Sequence, residues 1–115
     1  MGYIELDAAE MNNLRWKEIM SEQLKTAKTF EIHCWNEDQE EIKMALQFGE
    51  IKESRWKYGK IIQGYVTPEF VSYVLNIPKP TDTEIYNKMT PFFTIALDNG
   101  FWSEHYGTEL TKEQE

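Results

Sequence analysis

Around residues 27–29 the spacing of apolar side chains changes from every third or fourth position to every second. Trp16, Ile19, Met20, Leu24 and Ala27 recur at helical spacing, which predicts a helix over about 8–27 with one buried stripe. Phe30, Ile32 and Cys34 then alternate with Glu31, His33 and Trp35, so a strand over 29–35 sends the two sets to opposite faces. A strand needs a sheet to join, and the helical stripe needs something to cover. The chain therefore reads as α+β, one domain over 1–115 built on a small, mostly antiparallel sheet of about four strands packed by about four helices.

Local signals supply the other elements. Asp7 with Glu10 has capping-box spacing ahead of the first helix. Asn36 with Gln39 repeats it, and Glu37, Asp38, Glu40 and Glu41 load the first turns of a helix over about 37–48 with charge that suits its N-terminus. Gly49 stops that helix. Residues 51–57 and 60–66 read as a hairpin turning near Tyr58 to Lys60, and Thr67-Pro68 starts a helix over 68–75. Thr81 with Glu84 opens a further helix over about 82–98, preferred to a strand at Phe92 to Leu97 that would turn at Asp98-Asn99-Gly100. A last strand over 101–110 precedes a polar tail, 111–115, expected to fray.

A chain of 115 residues buries roughly 65% of its unfolded surface, enough for a core without metal or disulfide. Four Trp, six Tyr and six Phe are more large apolar surface than a disordered segment carries. Cys34 is the single cysteine, so no intrachain disulfide can form, which fits a reducing cytoplasm. Charges at Glu5, Asp7, Glu10, Arg15, Lys17 and Glu18 break up the start of the chain, a pattern unlike a secretory leader, and no apolar run approaches the ~20 residues of a membrane span.

Twenty acids against twelve bases give a net charge of −8, unevenly placed. Residues 1–50 carry eleven acids and five bases, residues 51–80 two acids and five bases, and residues 81–115 seven acids and two bases. Two acidic flanks thus enclose a basic middle. Such a field disfavours nucleic acid and anionic membrane as partners and attracts a basic protein.

The residue types that carry chemistry lack the spacing that chemistry needs. His33 and Cys34 leave opposite faces of a strand and cannot act as base and nucleophile together, although Cys34 with His105 stays geometrically open. Glu104 and His105 could serve as acid and base, yet no His-Glu-x-x-His spacing, calcium loop or phosphate-cradling glycine loop is present. No catalytic residue, cofactor or metal is therefore expected, with an enzyme using His105, Glu104 or Cys34 as the rival reading. Lys52, Arg55, Lys57 and Lys60 interleaved with Trp56 and Tyr58 form a second rival, a single-stranded nucleic-acid platform opposed by the acidic mean field.

Two stretches combine aromatic anchors with carboxylates: Trp35 with Glu37, Asp38, Glu40 and Glu41, and Trp102 with Glu104 and Tyr106. Anchors supply affinity while charge supplies speed and register, as a surface for a basic protein requires. In size, acidity and aromatic content, with Trp35 to Glu41 and Trp102 to Glu109 as the suggestive stretches, the chain resembles bacterial immunity proteins that neutralise toxin domains. The resemblance implies a cytoplasmic inhibitor that occludes a basic, nuclease-type toxin domain. Homo-oligomerisation is left open by the pattern.

Overall fold

A computed structural model describes residues 2–5, 13–77 and 89–114, with the backbone alone for 2–5, 13, 14, 113 and 114. The elements in chain order are β1 (Gly2–Glu5), α1 (Asn13–Leu24), β2 (Thr29–Trp35), α2 (Gln39–Leu46), β3 (Gly49–Lys52), β4 (Gly59–Tyr65), α3 (Pro68–Asn76), β5 (Thr94–Leu97), β6 (Phe101–Glu104) and β7 (Glu109–Gln114). All strand pairs are antiparallel, in the order β1-β7-β6-β5-β2-β4-β3. The α+β class and the antiparallel sheet agree with the sequence reading. The count does not: the described residues hold seven strands and three helices, against about four of each expected.

Strand β2 lies inside the sheet between β5 and β4, and its burial alternates as its sequence does, with Phe30, Ile32 and Cys34 buried and Glu31, His33 and Trp35 half-buried. Trp16, Ile19, Met20 and Leu24 of α1, Ala45 of α2, and Phe70 and Val74 of α3 join the buried set in one core. Phe30 and Phe70 stack with ring centroids 3.9 Å apart, which fixes α3 against the strand. The three helices thus contribute to the core on one face of β2. No described helix covers the face that bears Glu31, His33 and Trp35.

Helix starts follow local chemistry in part. Thr67 caps α3, its hydroxyl accepting from Phe70 N over 3.1 Å, with Pro68 in the first turn as anticipated. The Asn36–Gln39 pairing does not form: α2 begins at Gln39 with Asp38 at the cap position, and Asn36 Nδ2 donates instead to the Lys57 carbonyl over 2.9 Å. The Asp7–Glu10 and Thr81–Glu84 pairs lie outside the described residues.

The largest correction is at 94–97, expected as the end of a helix over 82–98 and found as β5, between β2 and β6 in the sheet; 82–88 lie outside the described residues. All four residues are buried, so the segment shows no alternation, and a short fully buried run cannot be told from a buried helix by period. The turn at Asp98-Asn99-Gly100 then clasps the end of α1. Asp98 Oδ1 accepts from Lys28 N over 2.8 Å, and Asn99 Nδ2 donates to the Gln23 carbonyl over 2.9 Å. The Gln23 carbonyl in the last turn of α1 thus gains a donor from 76 residues away in sequence.

Two further expectations shift. The hairpin strands are 49–52 and 59–65, and residues 53–58 are a loop instead of a continued ladder. The final strand over 101–110 is broken at 105–108, where His105, Tyr106 and Gly107 take φ of 53°, 60° and 89°. That left-handed run costs about 1–2 kcal/mol at each non-glycine residue, and backbone bonds hold it: Tyr106 N to Phe93 O at 3.0 Å, and Met89 N to Tyr106 O at 2.8 Å. Past the turn, residues 111–114, expected as a frayed tail, complete β7, all four pairing with β1 and Thr111 and Lys112 also with β6.

Candidate functional site

The face of the sheet that no described helix covers carries a continuous series of rings. Trp102 meets His33 edge-on with centroids 6.0 Å apart, His33 approaches Trp56 at 6.3 Å, and Trp56 packs against Trp35 at 5.0 Å. Trp35 then meets Phe93 at 4.9 Å, and Phe93 touches His105 at 5.6 Å and Tyr106 at 5.2 Å. Trp35, Trp56, Phe93 and Trp102 are each half-buried, the exposure of side chains packed sideways on one another while one surface stays in water.

Trp56 reaches this row from the 53–58 loop because Gly59 leaves room beneath it. A Cβ on Gly59 would collide with both the Trp56 ring and the Cys34 carbonyl. The aromatic surplus at Trp35, Trp56 and Trp102 was visible in the sequence, whereas His33 and Phe93, which join the tryptophans, were not recognised as members. For His33 the signal was present, since β2's alternation places it between Glu31 and Trp35. For Phe93 none was, because its role depends on the path of 89–93 beside the 105–108 turn.

The register brings the two expected stretches together. Trp35 lies opposite Gly59, His33 opposite Thr94, and Glu104 opposite Glu109, so the end of β2, the starts of β4 and β5 and the β6–β7 turn share one end of the sheet. The Tyr106 hydroxyl spans this end, donating to Asp38 Oδ2 over 3.0 Å.

The individual residues have different surroundings. Trp102 and Glu104 project from the same side of β6, both half-buried, but Tyr106 does not continue that side. It sits in the turn, 7% exposed, because the left-handed backbone redirects it. Glu37 is exposed, Glu40 is exposed with Lys43 Nζ 3.7 Å away, Glu41 is half-buried, and Asp38 is held by Tyr106.

At the centre of the open face Glu31 is the electrostatic hub. Its carboxylate accepts from Lys52 Nζ over 2.7 Å and lies 3.1 Å from His33 Nε2. The Lys52 hydrogen bond holds its carboxyl below the ordinary value, outweighing the opposing effect of burial. Shallow grooves flank it, one of about 260 Å³ bordered by Glu50 and Tyr65 and one of about 170 Å³ bordered by Asp98 and Trp102.

The residues of the rival readings are dispersed. Cys34 is fully buried on the helix-covered face, where burial and the negative charges of Asp38 and Glu41 push its thiol up to about 12. His105 and Glu104 lie in and beside the β6–β7 turn, with His105 against Phe93 at the end of the aromatic row. In the basic segment Lys52 is committed to Glu31, and Arg55, Lys57 and Tyr58 sit in a loop, so the alternation of cation and ring along a strand is not realised.

Among the described residues no helix is long and apolar enough to cross a membrane. Comparison with known protein families, curated proteins and solved structures finds no match to the chain.

Proposed function

We propose that this chain is a non-enzymatic binding protein that sequesters a basic protein, acting as an immunity protein does on a nuclease-type toxin domain. The observation that carries the reading is the asymmetry of the sheet: the described helices all join the core on one face, while the other offers Trp35, Trp56, Phe93 and Trp102 among carboxylates. Rings fixed against one another lose little entropy when a partner covers them, which makes them efficient anchors. Glu37, Glu104 and Glu109 around them suit lysine and arginine side chains. A net charge of −8 would speed the encounter with a basic cleft.

The lone, buried thiol of Cys34 suits a reducing compartment, so we place the protein in the cytoplasm. The test is co-expression with the protein encoded immediately upstream, followed by measurement of growth and complex formation. A growth-arresting basic partner, held in a complex whose association slows steeply with salt, is expected. Association indifferent to both salt and charge reversal at Glu37 and Glu104 would overturn the reading.

A further inference from the structure

We propose that the β6–β7 hairpin end is a binding site for a divalent transition cation of the zinc type, with Glu104, His105 and Glu109 as ligands. One ligand atom from each of the three lies within 4.8 Å of the other two. His105 Nε2 and Glu109 Oε2 are 3.6 Å apart, close to the about 3.4 Å that separates neighbouring ligands set about 2.1 Å from a tetrahedral centre. Glu109, whose side chain is 56% exposed, is able to change rotamer to close the set further.

The sheet register supplies an independent reason. Glu104 and Glu109 face each other directly across β6 and β7. Two carboxylates in that relation repel, and the pair is destabilising unless positive charge lies between them. A cation bridging both would turn the repulsion into attraction. The turn that closes the hairpin places the imidazole beside them: His105 is the first of its left-handed residues, followed by Tyr106, whose backbone is held on both sides by Phe93 and Met89.

One imidazole nitrogen and two carboxylate oxygens form a donor set suited to zinc and its neighbours, more than to calcium, which takes six or more oxygens. Three protein ligands leave a fourth position for water. The cation site needs no partner and none of the tryptophans, but it shares Glu104 and Glu109 with the surface proposed above for a basic protein.

Isothermal titration of the chelator-treated full chain with zinc chloride tests it. Saturable one-to-one binding in the micromolar range is expected, weakened roughly tenfold or more by His105→Ala and by Glu109→Gln. His33→Ala, which alters the other imidazole beside a carboxylate, should leave the affinity unchanged. Unfolding followed by circular dichroism reports whether each variant is folded, and zinc should raise the melting temperature of the parent chain but not of Glu109→Gln. Absence of saturable binding, or binding that survives both hairpin substitutions and is lost with His33→Ala, would overturn the assignment.

Discussion

The Tyr106 hydroxyl donates to Asp38 Oδ2 over 3.0 Å, linking residues 68 apart in sequence. Through this bond the turn between β6 and β7 is tied to the start of α2. The acidic run after Trp35 and the aromatic stretch after Phe101 thereby become parts of one end of the sheet. An aspartate that looked available to a partner is instead an internal acceptor.

Tyr106→Phe should therefore cost about 1–2 kcal/mol of stability, because the bond is charge-assisted but only part-buried. The ring would keep its packing on Phe93, so the fold should survive. Urea unfolding of the two proteins checks the difference, and Tyr106→Ala should cost more by losing the ring as well.

Gly107 has φ of +89°, and a Cβ there would lie 2.8 Å from both Met89 Cβ and Trp16 Nε1. Gly107→Ala combines backbone strain with a collision in the core and is expected to destabilise by about 2 kcal/mol or more. The neighbouring Trp16 Nε1 donates to Ser103 Oγ over 3.1 Å in a buried bond. Ser103→Ala would leave that N–H without its acceptor and cost about 1–3 kcal/mol, measurable as a lower denaturation midpoint.

Glu31 is held below its ordinary carboxyl value chiefly by Lys52. A group whose folded value is depressed adds stability above its unfolded value, and that contribution is lost as pH falls through the folded one. Lys52→Met should bring the Glu31 titration upward in a carboxyl-detected NMR experiment. It should also flatten the acid-side loss of stability below about pH 5, by no more than about 1 kcal/mol because both side chains keep access to water.

Cys34 should be inert while the protein is folded. With its thiol pushed up to about 12 and its side chain fully buried, a disulfide exchange reagent at pH 8 should label it only as fast as the core opens. Full labelling in denaturant and slow labelling without it is the expected pair of results.

Trp35→Ala and Trp102→Ala should weaken a basic partner by about 2 kcal/mol or more each, acting on dissociation. Glu37→Lys, at an exposed position, should act mainly on association and on its salt dependence. Surface plasmon resonance at two ionic strengths separates the effects.

Much of this architecture could be read from local pattern, where each residue's neighbours in sequence are also its neighbours in space. The alternation in β2 gave both its faces, helical spacing in α1 gave Trp16, Ile19, Met20 and Leu24 as core, and Thr67-Pro68 marked the start of α3. The acidity and the aromatic surplus were equally plain. Tertiary structure decided what depends on distant partners. β5 is a strand because β2 and β6 flank it, and all four of its residues are buried, so periodicity has nothing to report there. The turn at 105–108 is left-handed because Phe93 and Met89 supply backbone bonds that offset its strain. Register, a property of pairs of strands and of no single one, brings Trp35 to the same sheet end as Glu104 and Glu109 and sets those two glutamates face to face.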